Sequence, residues 1–136
     1  MEDFIFKVLI VLILSSILGL EREVRHKAAG IRTHILVALA SFTFTYFSLS
    51  YFDKMDAARI IANILVGMGF IGAGTIIKEN EKVIGITTAA SLWFVTSIGI
   101  LVGLNYIEEA IVLSLVGFFV LMSKEIYSLI LKNKKW

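Results

Sequence analysis

Four groups of residues in this chain could do chemistry. Glu21-Arg22-Glu23 with His26 sets two carboxylates and an imidazole close together, the material of a divalent-cation site. Arg22, Arg25 and Lys27 stand among them and oppose a cation, so ion pairing within this loop is the better reading. Arg32, Thr33 and His34 follow, the histidine reading as a hydrogen-bonded interfacial group rather than a ligand or proton relay. Asn63 lies inside an apolar run, where its amide must find partners, and an embedded polar residue is a site candidate by default. Thr87, Thr88 and Ser91 open another apolar run, where hydroxyls cap amides or bond a neighbouring helix. None of these groups makes a Ser/His/Asp triad, a phosphate-binding loop or a zinc signature. The expectation is a protein that is not an enzyme and carries no cofactor or metal.

The elements that must position these residues are membrane spans. The 136 residues are 58% hydrophobic and 18% charged, with mean hydropathy +0.88, too apolar to hide inside one soluble core of this size. Without cysteine, disulfides and thiolate chemistry are excluded. A net charge of +2, with the basic residues in short connections, gives no nucleic-acid signal. A spanning helix needs about 20 apolar residues. Five segments come near that length: Phe4 to Leu20, Thr33 to Phe52, Arg59 or Ile60 to Ile77, Thr87 to Leu104, and Ala110 to Met122 continuing as helix towards Lys132. Glu2 and Asp3 ahead of the first run argue against a cleaved signal peptide, and Lys7, one turn inside it, can snorkel to the interface. The aromatic end of the second span and the Trp136-tipped C-terminus suit interfacial belts.

Connections one, three and the tail hold Arg22, Arg25, Lys27, Arg32, Lys78, Lys82, Lys124, Lys132, Lys134 and Lys135, whereas the other connections hold Lys54 and Arg59. The positive-inside rule then places the N-terminus outside and the C-terminus in the cytoplasm. The predicted architecture is an all-α integral membrane protein, one compact bundle of about five transmembrane helices over residues 1–136, without a soluble C-terminal domain.

Gly67, Gly69, Gly72 and Gly74 crowd the third span, and each costs a helix roughly 1 kcal/mol relative to alanine. Close helix contact is the expected compensation, with small residues on two faces making this helix central. Gly85 opens the fourth span and Gly99 and Gly103 form a G-x-x-x-G within it. The short polar connection from Lys78 to Gly85 makes the third and fourth spans an antiparallel hairpin. It brings Arg22, Arg32, Lys78 and Thr87 towards one patch suited to an anion or a partner. Arg32, at a helix N-terminus, needs a counter-charge, and Glu21 is the expected one.

Gly19-Leu-Glu-Arg-Glu, Lys27-Ala-Ala-Gly-Ile-Arg-Thr-His-Ile-Leu-Val-Ala, Gly67-Met-Gly-Phe-Ile-Gly-Ala-Gly-Thr-Ile-Ile and Gly85-Ile-Thr-Thr-Ala-Ala-Ser-Leu-Trp93 occur in this order, and the set resembles the MgtC/SapB family of bacterial and archaeal inner-membrane proteins. The resemblance implies a multi-pass protein of the cytoplasmic membrane, linked to adaptation to low magnesium and to modulation of membrane partners such as the ATP synthase. It carries over Glu21, Arg22, Lys27, Gly30, Arg32 and Thr33, then Gly67, Gly69, Gly72 and Gly74, then Gly85, Thr87, Thr88 and Trp93 as motif residues without a settled chemical role. The leading expectation is a non-enzymatic membrane protein acting through partners or on ion homeostasis. Its alternative is a small transporter or channel for magnesium or another cation, disfavoured by the lack of an acidic residue deep in a span. The lipid bilayer is the implied environment, and small-residue stripes on several helices point to a homo-oligomer, a dimer first.

Overall fold

The structure, a computed structural model, describes residues 1–132, with side chains through residue 123. Five helices follow one another: α1 (Glu2–Val24), α2 (Ile31–Tyr51), α3 (Lys54–Ala73), α4 (Ile86–Gly103) and α5 (Ile107–Lys132), with a two-stranded hairpin, β1 (Ile77–Glu79) and β2 (Lys82–Ile84), between α3 and α4. Among the described residues α1, α2, α3 and α4 are long and apolar enough to cross a membrane. The expected Trp136 anchor and the side chains of Lys124 and Lys132 lie outside the described residues.

Local chemistry explains where the boundaries depart from the hydropathy pattern. Asp53 caps α3, its Oδ1 accepting from the amides of Met55 and Asp56 at 2.9 Å each, so the helix starts at Lys54, well before Arg59. It stops at Ala73 rather than Ile77, because Ile77 pairs with Ile84, Lys78 with Val83 and Glu79 with Lys82. What reads as a bare polar connection is an antiparallel ribbon. Asn80 supplies its left-handed turn position with φ 55°. Gly85 closes the ribbon with φ +90°, and a Cβ there would collide with the Thr75 carbonyl, so only glycine fits.

The central helix is α4, which touches α1, α2, α3 and α5, and its contact with α2 is the most extensive between any two elements. Burial agrees: 56% of the α4 span lies inside the protein, against 17% for α3. The expectation that the glycine-rich α3 is central is therefore corrected. A Cβ added at Gly67 or Gly69 meets nothing within 4 Å, one at Gly72 only touches Ala89 at 3.6 Å, and one at Gly74 meets only the backbone of α3 itself. In α4 the situation is reversed. A Cβ on Gly99 would fall on Ser41 Oγ and the Ala38 carbonyl, and one on Gly103 would lie 2.7 Å from Thr45 Cβ. Gly19 lets α1 cross α2 equally closely, since its Cβ would be 2.6 Å from Ile31 Cα. Backbones meet where side chains are absent, the packing available to helices that gain no hydrophobic drive in lipid.

Around these contacts Val11, Leu14 and Leu18 of α1, Ala38 and Phe42 of α2, Val95, Ile98 and Val102 of α4 and Ala110 of α5 form one core. At the N-terminal end of α1, Phe4 packs on Phe42, Tyr46 and Phe47 with ring centroids 5.2 to 5.7 Å apart. Lys7 is buried there. It reaches back to the exposed Asp3 carboxylate at 3.0 Å and sits 5.2 Å from the Tyr46 ring centroid, so its charge is met at the end of the helix.

These contacts separate the glycines into two classes. Gly99→Ala should lower the detergent melting temperature, with overpacking costing about 1–3 kcal/mol, while Gly69→Ala should leave it unchanged or raise it. Equal losses in both variants would contradict this placement of the helices.

Candidate functional site

The charged motif residues that read as a loop belong to the last turns of α1, which runs on to Val24. Glu21 and Arg22 are therefore fixed on a helix and are both buried, 7% and 4% exposed. The Glu21 carboxylate lies 3.3 Å from Arg22 Nη1 and also contacts Arg25 Nε. Among the described residues these contacts lack hydrogen-bond geometry: neither Glu21 oxygen accepts a directed bond, and Arg22 Nε–H has no acceptor. The pair is thus close in charge and incomplete in hydrogen bonding, a costly state for buried groups.

Glu23, on the other side of the same turn, does separate work. Its Oε2 accepts from the Ile31 amide at 3.0 Å, capping the start of α2, whose own N-cap, Gly30, has no side chain to offer. A Cβ at Gly30 would collide with that carboxylate. One turn into α2, His34 is fully buried with Nδ1 2.9 Å from the Gly30 carbonyl and Nε2 3.1 Å from Ser91 Oγ of α4. The carbonyl can only accept, so a neutral ring carries its proton on Nδ1 and accepts from Ser91 at Nε2. The Ser91 hydroxyl then has two acceptors for one hydrogen, His34 and the Thr88 carbonyl at 2.8 Å.

Beside this cluster lies a cavity of about 1360 Å³, lined by Glu21, Arg22, Arg25 and Lys27 from the end of α1, by Val83, Gly85, Ile86, Thr87 and Thr88 from the hairpin and the start of α4, and by Phe118 to Ser123 of α5, Phe119 excepted. Of the sequence-predicted candidates, Glu21, Arg22, Lys27, Thr87 and Thr88 come together here. Arg32 is exposed and makes no ion pair among the described residues, which corrects the expected Arg32–Glu21 contact. The physical reason is reach: Glu21 points to guanidinium groups on its own helix, one of them one turn ahead of it. Thr33 is half-buried beside Arg32, Trp93 is 52% exposed on the outside of α4, and Lys78 is exposed on the hairpin away from the lining.

Asn63 belongs to another place. It donates to the Arg59 carbonyl within α3 at 3.0 Å and lines an apolar groove of about 480 Å³ between α2 and α3 with Phe44, Ile60 and Gly67. Among the described residues no three or more His, Asp or Glu side chains gather as a cation site.

The MgtC family model matches residues 8–128. The chain is 35% identical over 127 residues to the protein named "Putative magnesium transporter YhiD" of Escherichia coli K12, covering 88% of this chain and 59% of YhiD. It is 42% identical over 100 residues to Protein MgtC of Brucella abortus 2308, covering 74% of this chain and 42% of that protein. It is 36% identical over 132 residues to Protein SapB of Bacillus subtilis 168, covering 90% and 56%. The chain thus spans about two-fifths to three-fifths of the length of these relatives. No solved structure matches.

Three substitutions separate the roles at this end of α1, read as detergent melting or denaturant curves. Glu21→Leu, which strands a buried guanidinium, should cost about 3–5 kcal/mol. Glu23→Ala, which uncaps α2, should cost about 1 kcal/mol, and Arg32→Lys should stay within about 0.5 kcal/mol of the parent chain. A large loss from Arg32→Lys would mean that Arg32 has a partner this geometry does not contain.

Proposed function

This chain belongs to the MgtC family, and on that premise we propose that it is a non-enzymatic protein of the bacterial or archaeal cytoplasmic membrane that serves adaptation to low magnesium by acting on membrane partners, the ATP synthase among them. Its working surface is the cavity at the cytoplasmic end of α1 and α4, where Glu21, Arg22, Lys27, Thr87 and Thr88 converge. In this reading five helices span the membrane with the N-terminus outside, as the charge asymmetry between the two sets of connections favours.

The observation that carries the reading is the filling of the bundle. Val11, Leu18, Phe42, Val95, Ile98 and Val102 are all 0% exposed, so the middle of the protein is packed hydrocarbon. The buried hydroxyls beside it bond locally. Ser15 donates to the Val11 carbonyl, Thr45 to Ser41 and Thr96 to Leu92, each within its own helix. An ion needs a continuous set of oxygens in place of its hydration shell, and the apolar side chains that fill the middle of the bundle supply none.

The competing reading is a small transporter or channel for magnesium or another cation, which the name given to YhiD favours. A homo-oligomer, a dimer first, fits the open faces of Gly67 and Gly69 on α3, which take no part in the packing of this chain.

Magnesium flux into proteoliposomes holding the full chain and an entrapped magnesium-sensitive dye decides between them. Flux indistinguishable from empty vesicles is expected, with folding verified by a cooperative melt of the same preparation. Saturable magnesium entry through the folded protein would overturn the partner reading in favour of transport.

A further inference from the structure

The cavity beside Glu21 and Arg22 has a wall that the charge pair does not use. Gly85, Ile86, Thr87 and Thr88 line it, and they are the opening of α4, a helix whose N-cap makes no side-chain hydrogen bond. The first-turn N–H groups receive no side-chain cap, and the partial positive charge of a helix N-terminus stands at this wall. A separate observation points the same way. Arg22 lines the cavity, is only 4% exposed, and holds a buried Nε–H with no acceptor among the described residues. It shares the one Glu21 carboxylate with Arg25, so that carboxylate does not satisfy it alone. Lys27 lines the cavity too and is exposed.

We propose that this cavity binds the phosphate group of a phosphorylated ligand, with Arg22, Lys27 and the first amides of α4 as donors. A tetrahedral oxyanion carries enough oxygens to meet a guanidinium edge and a helix N-terminus together, and both are established receptors for phosphate. The Glu21 carboxylate lines the same space and repels an anion, but its charge is held between two guanidinium groups. Size and wall chemistry identify the fuller ligand. A space of about 1360 Å³ far exceeds one phosphate, and Leu20 and Val120, 50% and 63% exposed, give it an apolar side. An anionic phospholipid offers both the head group and the chain for such a site. Inorganic phosphate shares the recognised chemistry without the chain. Binding here requires neither ion flux nor a protein partner, so it succeeds or fails separately from the partner reading.

The test is calorimetric titration of the full chain in detergent with three probes: inorganic phosphate, short-chain phosphatidylglycerol and, as a phosphate-free control, short-chain diacylglycerol. Two variants accompany it. Lys27→Gln removes an exposed charge and should leave the melting temperature unchanged. The paired change Glu21→Gln with Arg22→Gln removes both charges of the buried pair together and takes Glu21 from Arg25, whose side chain is partly exposed to water. Saturable binding of phosphatidylglycerol is expected, weakened about tenfold by Lys27→Gln and lost in the paired variant, with no binding of diacylglycerol. Binding of inorganic phosphate as well identifies the free anion as a sufficient ligand, and its absence assigns the site to lipid. Equal binding of diacylglycerol, affinity unchanged in both variants, or no saturable binding of either phosphate probe overturns the proposal.

Discussion

The close approach of α4 to α2 is the contact on which the rest of this bundle depends. Gly99 and Gly103 remove the side chains that would otherwise hold the two helices apart, and Ala38, Ser41 and Thr45 present small groups to the gap. With α2 set against α4 at that distance, Phe42 is enclosed and His34 comes within reach of Ser91. Helix α1 then crosses α2 over Gly19, and α5 closes on α4 where Gly117 faces Phe94. In lipid such contacts rest on dispersion and geometry. One misplaced branched residue at the crossing would therefore displace several interfaces at once.

The end of α1 follows a different logic. Its final turns carry Glu21, Arg22, Glu23 and Arg25 into a region where the bundle is already closed by Leu18 and Ala29. Side-chain direction assigns the work. Glu23 faces the next helix and caps it, while Glu21 and Arg22 turn inwards and are buried beside the cavity. Neighbouring residues of one motif thus serve two separate structural tasks.

The helices were legible in the sequence because hydropathy is a local signal. The five helices are read from it directly, and so is the meeting of Arg22 with Thr87, whereas Arg32 and Lys78, expected at the same patch, stand away from the cavity. The ends of α3 are not legible, because Asp53 and the hairpin override an apolar run that continues to Ile77. Nor is it legible which glycines are contacts. Gly67 and Gly69 look more suggestive than Gly19 and Gly117, yet only the latter two face a neighbour, and a neighbour is a tertiary fact. Arg32 misleads for the same reason, since proximity along the chain suggests Glu21 while Arg25 on the same helix face reaches it first.

The hydroxyl groups of the bundle have a consequence for how the protein is made. Ser15, Ser16, Thr43, Thr45, Ser50 and Thr96 each donate to the carbonyl four residues earlier, and Ser41, Ser48 and Ser97 to the one three earlier. Each such group finds its partner as soon as its own helix forms, before any other helix arrives. A nascent segment can therefore leave the translocation machinery for lipid one at a time with few bare polar groups. The bonds that must wait for a second helix include His34 with Ser91, and Ser114 of α5 with the Leu14 carbonyl of α1. The second of these joins α1 to α5, so it can form only when translation has passed Ser114.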